Sequence, residues 1–409
     1  MTSSSDPASV QPFARPVTLL LNIAHAIDHM FLLIFAAAVG TIAADFGFAH
    51  WEDLMPYGVA AFFLFGIGSW PAGRLGDLWG RRRMMLLFFF GIGAAAMLCA
   101  LAQNAWQLAG ALALVGLFAA IYHPVGIPMI VQHAPNPGAV IGINGLAGNL
   151  GVAVAALVTG LLVQALGWRA AFAVPGAFAL LCGVVFMRIC PHEAEPPSRR
   201  KSRAAVTLAP RALARAFAVM TAAAVTGSLL FNFTTNGNAQ LLDERLSGVV
   251  QDPVLLGALL AGIYVVSSLT QVIVGRLLDR VALKPLYLSI AVAQIPLLLW
   301  AAWAQGWALY VALLGAMIFI FGAIPFTDAM IVRYVDDRSR SRVAGMRLTV
   351  SFGVSSLAVW LLGPMVKQAG FTTLLLVMTV IAACTAAMVT LLPSEHAADA
   401  APTLEPDAS

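Results

Sequence analysis

Twelve mostly apolar stretches, each long enough to cross a bilayer, run through this 409-residue chain: near 17–42, 54–73, 84–102, 106–132, 139–165, 170–190, 212–236, 254–275, 285–304, 307–332, 341–366 and 371–392. A helix needs about 20 such residues to span the hydrocarbon core. The pattern therefore predicts an all-α membrane protein with twelve transmembrane helices. A hydrophobic content of 60% against 10% charged residues excludes an ordinary soluble globule.

The first stretch is too long, and too interrupted by polar residues, to be a cleaved signal peptide, and no small-residue cleavage site follows it. Charge placement tests the topology independently. With an even helix count and a cytoplasmic N-terminus, only Arg169, Arg245 and Lys367 face outward. The other twenty of the 23 basic residues face inward, as cytoplasmic loops require. The net charge of +4 then reflects orientation and not nucleic-acid binding. Cys99, Cys182, Cys190 and Cys384 lie in or at the ends of spans without metal-ligand spacing or a secreted disulfide pattern, and read as small apolar residues.

One long break, PHEAEPPSRRKSRAAVTLAPRALAR, separates the sixth and seventh stretches. It divides the chain into six-helix bundles at 17–190 and 212–392, joined by a cytoplasmic linker at 191–211. The Ser/Pro-rich tail 1–16 and the Ala/acidic tail 393–409 read as disordered and cytoplasmic. The halves echo each other. GRLGD at 73–77 recurs as GRLLD at 275–279, and a Pro followed five residues later by MIV occurs at Pro124/Met129 and Pro325/Met330, at offsets of 202 and 201 residues. Two pseudo-symmetric bundles with a site between them near the midplane form a transporter's architecture.

Between the second and third stretches stands Gly73-Arg74-Leu75-Gly76-Asp77-Leu78-Trp79-Gly80-Arg81-Arg82-Arg83. Its glycines permit a tight turn, its acid can sit at a helix end or pair with a base, and its arginines anchor at headgroups. This segment resembles the G-x-L-x-D-R-x-G-R-R loop motif of the major facilitator superfamily. The resemblance spans about 17–392 and implies a conformational latch formed by Gly73, Asp77, Gly80, Arg81 and Arg82, with Asp279, Arg280 and Arg347 in the second half. Leu78 stands where the family usually has Arg. The second copy continues Val281-Ala282-Leu283 without the Gly-Arg, which implies a weaker second latch. The fourth stretch lacks the intramembrane Arg, and the fifth the Gly-Pro element, of many drug/proton antiporters. Shorter matches are similar to the fosmidomycin resistance branch, a group of efflux proteins: the His/Asp patch in the first stretch, Tyr122-His123-Pro124, Gly148-Asn149-Leu150-Gly151 and Arg342-Val343-Ala344-Gly345-Met346.

The first stretch contains NIAHAIDHMFLLIF at 22–35. At 100° per residue, Thr18, Asn22, His25, Asp28 and His29 share one helix face of roughly 120°. A charge near mid-bilayer costs at least about 2.5 kcal/mol unless it faces protein or water, so this face should line a central cavity. Burial and mutual attraction pull carboxyl and imidazole protonation in opposite directions, which makes His25, Asp28 and His29 candidates for proton coupling. The alternatives are a structural polar knot and a divalent-metal site built from His25, His29, Asp28 and His123, although no Cys or second carboxylate is evident nearby. No resident metal or cofactor is assigned. HAIDH is one Asp-for-Glu change from a zinc-protease pattern, but without a catalytic domain the chain does not read as an enzyme.

His123 is a further proton-coupling candidate. Pro124, Gly126 and Pro128 should distort its helix and expose carbonyls. Asp328 is another, and can instead pair with Arg333 or Arg347. Candidate substrate contacts are Asn22, Asn144, Asn149, Asn232, Asn236, Gln271 and Gln294, with Gly237 inviting a break after FNFTTN. No G-x-x-x-x-G-K-[ST] loop is present, so a gradient and not ATP should drive transport. The expectation is a monomeric, proton-coupled exporter of a small polar or amphipathic compound in a cytoplasmic (inner) membrane. Its partners are that substrate, protons and the bilayer, with no nucleic acid. Export follows from the resemblance alone. The alternatives are proton-driven uptake of an organic solute, a metal or a metal chelate and, more distantly, an intramembrane metalloenzyme or a sensor.

Overall fold

The computed structural model describes residues 15–49, 53–132, 134–200, 210–250 and 253–393. The expected tails and much of the linker lie outside them. The fold is all-α. The helices are α1 (Arg15–Asp45), α2 (Val59–Trp79), α3 (Arg81–Leu101), α4 (Ala105–Val131), α5 (Pro137–Leu166), α6 (Trp168–Ile189), α7 (Pro210–Leu246), α8 (Pro253–Leu278), α9 (Leu283–Trp303) and α10 (Gly306–Tyr334), followed by α11 and α12 within Arg340–Thr390. The last two meet at Gly370, whose φ of 73° breaks the helix; only glycine adopts that region without strain. Among the described residues, ten helices are long and apolar enough by length and composition to cross a membrane. Helices α2 and α11, which carry the charged motif residues, complete the twelve.

Each half builds its own core. One cluster of buried apolar residues runs from Val17 to Cys190, and two others lie between Val219 and Leu392. The outward faces expose large apolar side chains such as Phe62, Phe63, Leu161, Val265 and Ile273, as contact with lipid requires.

The halves meet through small residues. On α2 and α11, a Cβ at Gly345 would lie 2.2 Å from the Ser69 carbonyl, and one at Gly73 would lie 2.2 Å from that of Ser341. On α5 and α8, a Cβ at Gly138 would lie 2.4 Å from the Gly275 carbonyl, and one at Gly142 2.3 Å from that of Gln271. Backbones approach this closely only where side chains are absent. The α2/α11 and α5/α8 pairs are related by the internal repeat.

These contacts lie toward one end of the bundle, where the arginine motif sits. At the other end, the described pairs of Arg169 and Arg245 stay within their own half. Arg169 binds Asp45 (2.8 Å) in the first half, and Arg245 donates to the carbonyls of Ala302 (2.8 Å) and Ala304 (3.2 Å), closing the C-terminus of α9 in the second.

Helix α7 departs from expectation. It runs without interruption through Gly237 to Leu246, whereas the sequence predicts a break at Gly237. Gly237 is buried, and a Cβ there would reach Leu362 at 3.3 Å, so close packing accounts for the glycine.

Candidate functional site

Helix α4 is deformed as its prolines predict. Tyr122–Gly126 forms a π-turn that leads into the segment starting at Ile127, because Pro124 and Pro128 remove backbone donors. The Pro128 carbonyl accepts from Arg81 Nη1 at 3.2 Å. The turn also aims His123 at α1.

There the side chains converge. His123 Nε2 lies 3.5 Å from Asp28 Oδ2. His29 Nε2 lies 3.2 Å from His25 Nε2, and the three imidazoles have centroids 4.9 to 5.3 Å apart. Asp28 is 0% exposed, and neither of its oxygens has a hydrogen-bond partner; His123 Nε2 has none either. Buried polar atoms are normally satisfied. Orphaned atoms in such a cluster mark a place that a proton, water or ion can occupy.

A second layer holds the rings. His25 Nδ1 donates to the Asn144 carbonyl at 2.7 Å, and since a carbonyl only accepts, the Nδ1 must carry the proton. Asn144 Nδ2 donates to Asn22 Oδ1 (2.9 Å) and to the Tyr122 hydroxyl (2.7 Å), which itself donates to the Leu21 carbonyl (2.7 Å). Tyr122 stacks on His25 at 4.7 Å. Helix α5 comes close enough to α1 for these bonds because Gly148 and Gly151 lack side chains; a Cβ at Gly148 would lie 2.6 Å from His25 Nε2, and one at Gly151 2.2 Å from the Ala26 carbonyl. Phe65 of α2 and Phe352 of α11 close over His123.

The structure thus gathers Asn22, His25, Asp28, His29, His123 and Asn144 and leaves the other candidates elsewhere. Asn149 is buried on α5 with its amide nitrogen unpartnered. Gln271 crosses between the halves, its Oε1 1.8 Å from where a Cβ on Gly145 would stand. Gln294 donates to the Phe319 carbonyl (3.1 Å), and Asn232 to that of Ser228 (2.9 Å). The Asn236 side chain lies outside the described residues. Asp328 pairs with Arg347 at 2.8 Å, and Arg347 also donates to Thr327, so both residues serve a contact between α10 and α11 in one half. In the sequence Tyr122 stands out only as part of the Tyr122-His123-Pro124 motif; its place in the network depends on α4 meeting α1 and α5, which no local pattern reveals.

The latch residues occupy the arginine-rich end. Gly80 turns α2 into α3 with φ 106°. Asp77 accepts from the backbone N–H groups of Ser341 (3.2 Å) and Arg342 (2.8 Å) at the start of α11. Asp279 accepts from those of Gly138 and Ala139, both at 2.8 Å, at the start of α5. Arg81, fully buried, bridges to Asp337 at 2.7 Å. Arg82 instead closes the end of α6, donating to the carbonyls of Met187 (2.6 Å) and Cys190 (2.9 Å) within its own half. Arg280 is exposed. Arg200 of the linker joins Glu193 (3.0 Å) to Asp337 (2.8 Å). Burial alone would push the Asp337 carboxyl upward, but Arg81, Arg340 and Arg200 outweigh it and hold the group below the ordinary carboxylate range.

A sequence model of the Major Facilitator Superfamily matches residues 21–243. Among curated proteins, the chain is 36% identical over 123 residues to a probable actinorhodin transporter of Streptomyces coelicolor, covering 28% of this chain and 21% of that one. It is 34% identical over 135 residues to the puromycin resistance protein pur8 of Streptomyces alboniger (32% and 26% covered). It is 26% identical over 250 residues to the multidrug resistance protein MdtG of Escherichia coli (59% and 60% covered). The matches thus span from about a fifth to three fifths of these relatives. Among solved structures, the proton:xylose symporter XylE superposes with a TM-score of 0.75 at 13% identity, covering 92% of this chain and 95% of that one. The human organic anion transporter MFSD10 superposes with a TM-score of 0.72 at 13% identity, covering 93% and 100%. At such identities the likeness concerns the fold.

Proposed function

The chain belongs to the Major Facilitator Superfamily, and from that premise we propose that it is a proton-coupled secondary transporter that exports a small polar or amphipathic compound by alternating access. The observation that carries the coupling is Asp28, fully buried with both oxygens unpartnered and 3.5 Å from the His123 imidazole. An ionisable group at this depth is costly unless it works. A proton that leaves Asp28 has His123, His29 and His25 as successive acceptors, so loading and release follow water access to the half-buried His29 and His123.

In this reading residues 17–190 and 212–392 are the two moving bundles, and the arginine-rich end with both termini faces the cytoplasm of an inner membrane. The latch closes that end, and the conformation is outward-facing. Asn22, Asn144, Asn149, Asn232, Asn236, Gln271 and Gln294 supply polar substrate contacts, and the protein acts as a monomer. Export draws on the named drug and antibiotic relatives and on the similarity to the fosmidomycin resistance branch.

The test is the internal pH of proteoliposomes challenged with a panel of antibiotics, organic anions and sugars. Solute-driven proton movement in the wild type and its loss in Asp28→Asn support the proposal. The direction of movement separates export from uptake, and identical traces from both proteins reduce Asp28 to scaffold.

A further inference from the structure

We infer that His25, His29, His123 and Asp28 form a binding site for one divalent transition-metal ion of the Zn²⁺, Co²⁺ or Ni²⁺ kind. The ligand atoms of the three histidines lie within 4.8 Å of one another, and the Asp28 carboxylate stands 3.5 Å from His123 Nε2. A tetrahedral ion with bonds of about 2.0–2.1 Å holds its donors roughly 3.3 Å apart. The His25–His29 separation of 3.2 Å and the His123–Asp28 separation of 3.5 Å already match two edges of that tetrahedron. The remaining separations among the histidine donors lie within 4.8 Å, and Asp28 reaches the group through His123.

The chemistry of the donors agrees with the geometry. His25 is fixed by its Nδ1–H bond to the Asn144 carbonyl, which leaves the Nε2 lone pair directed into the cluster; metal-binding histidines are oriented in this way by the other ring nitrogen. Both Asp28 oxygens and His123 Nε2 are buried and unpartnered, which is costly in an apolar site unless something binds there. Imidazole with one carboxylate suits borderline transition metals and disfavours Mg²⁺ and Ca²⁺. Arg347, a basic group whose charge acts on His123, is itself paired with Asp328. His29 and His123 are the half-buried members and give the ion its entrance.

The site rests on the arrangement of donors and holds whether or not the same cluster couples protons. The experiment titrates Co²⁺ into tag-free full-length protein in detergent and follows the visible band of four-coordinate cobalt. One equivalent should bind, be displaced by Zn²⁺ and be indifferent to excess Mg²⁺. His29→Ala, His123→Gln and Asp28→Asn should each weaken it by more than about 100-fold, beyond what loss of a group that only orients a ligand costs, whereas His192→Ala, in the exposed linker, should not. His29 is only partly buried and lies outside the distorted turn of α4 that carries His123, so His29→Ala reports even if His123→Gln does not fold. Absence of the band, or its survival in His29→Ala, overturns the site. Proton movement that needs Asp28 without cobalt binding leaves the coupling reading standing alone; cobalt binding with Asp28-independent proton movement leaves only the metal site.

Discussion

Asp77 and Asp279 stand in the same relation to the opposite half of the molecule. Each carboxylate accepts two backbone N–H groups at the start of a helix from the other half, Asp77 from Ser341 and Arg342 on α11 and Asp279 from Gly138 and Ala139 on α5. A carboxylate there satisfies orphan donors and opposes the positive end of the helix dipole. The pairs are repeat-related, but Asp77 is buried and backed by Arg81 at 3.7 Å, whereas Asp279 is exposed.

That asymmetry predicts unequal latches. In Asp77→Asn, a cysteine placed at the buried Ser341 should react with an impermeant maleimide about ten- to a hundredfold faster than in the parent, since losing a charge-assisted bond is worth roughly 1.5–3 kcal/mol. In Asp279→Asn the solvent-screened loss should change the reactivity of a cysteine at Ala139, the other backbone partner of Asp279, only a few-fold. Equal effects in the two variants would show that burial does not set latch strength.

Asp337 gives the latch a pH dependence. Burial favours its neutral form, but Arg81, Arg340 and Arg200 hold its carboxyl below the ordinary range. A depressed folded-state value means that the stabilisation is present above the unfolded-state pKa of about 3.9 and is lost as pH falls through the lower folded value. Asp337→Asn should therefore lower stability in detergent by roughly 1.5–3 kcal/mol at neutral pH, with the gap to wild type shrinking below about pH 4. A gap that stays constant with pH would remove the carboxylate's charge as the cause.

Gly148→Ala and Gly160→Ala separate a crowded helix face from an open one. A methyl at Gly148 would stand 2.6 Å from His25 Nε2, whereas nothing lies within 4 Å of one at Gly160. Gly148→Ala should abolish solute-driven proton movement and cost about 1–3 kcal/mol through overpacking. Gly160→Ala should transport normally and gain about 0.5–1 kcal/mol of helix stability. Normal transport by Gly148→Ala would mean that the His25 position is irrelevant to function.

The sequence carries whatever is periodic or repeated, and loses whatever depends on one helix meeting another. The polar face of α1, the distortion at Pro124 and Pro128, and the duplicated aspartates all follow from spacing within a single segment. That His123 meets Asp28, that Tyr122 bonds Asn144, and that Arg82 serves α6 all depend on interhelical placement. Gly237 shows the limit from the other side, because a glycine permits a break and also close packing, and only the neighbouring Leu362 distinguishes the two.

Asp328 and Arg347 provide the last test, because the same ion pair admits two roles. The pair is 2.8 Å apart, with side chains 14% and 6% exposed, so Asp328→Asn leaves a buried guanidinium without its counter-charge and should cost about 3–5 kcal/mol. Replacing both, as in Asp328→Leu with Arg347→Met, removes the two desolvation penalties together and should recover most of that loss in a thermal unfolding series. If the double variant is stable and still moves protons with solute, the pair is a fastening between α10 and α11. If it is stable but uncoupled, Asp328 joins Asp28 as a carrier of the proton.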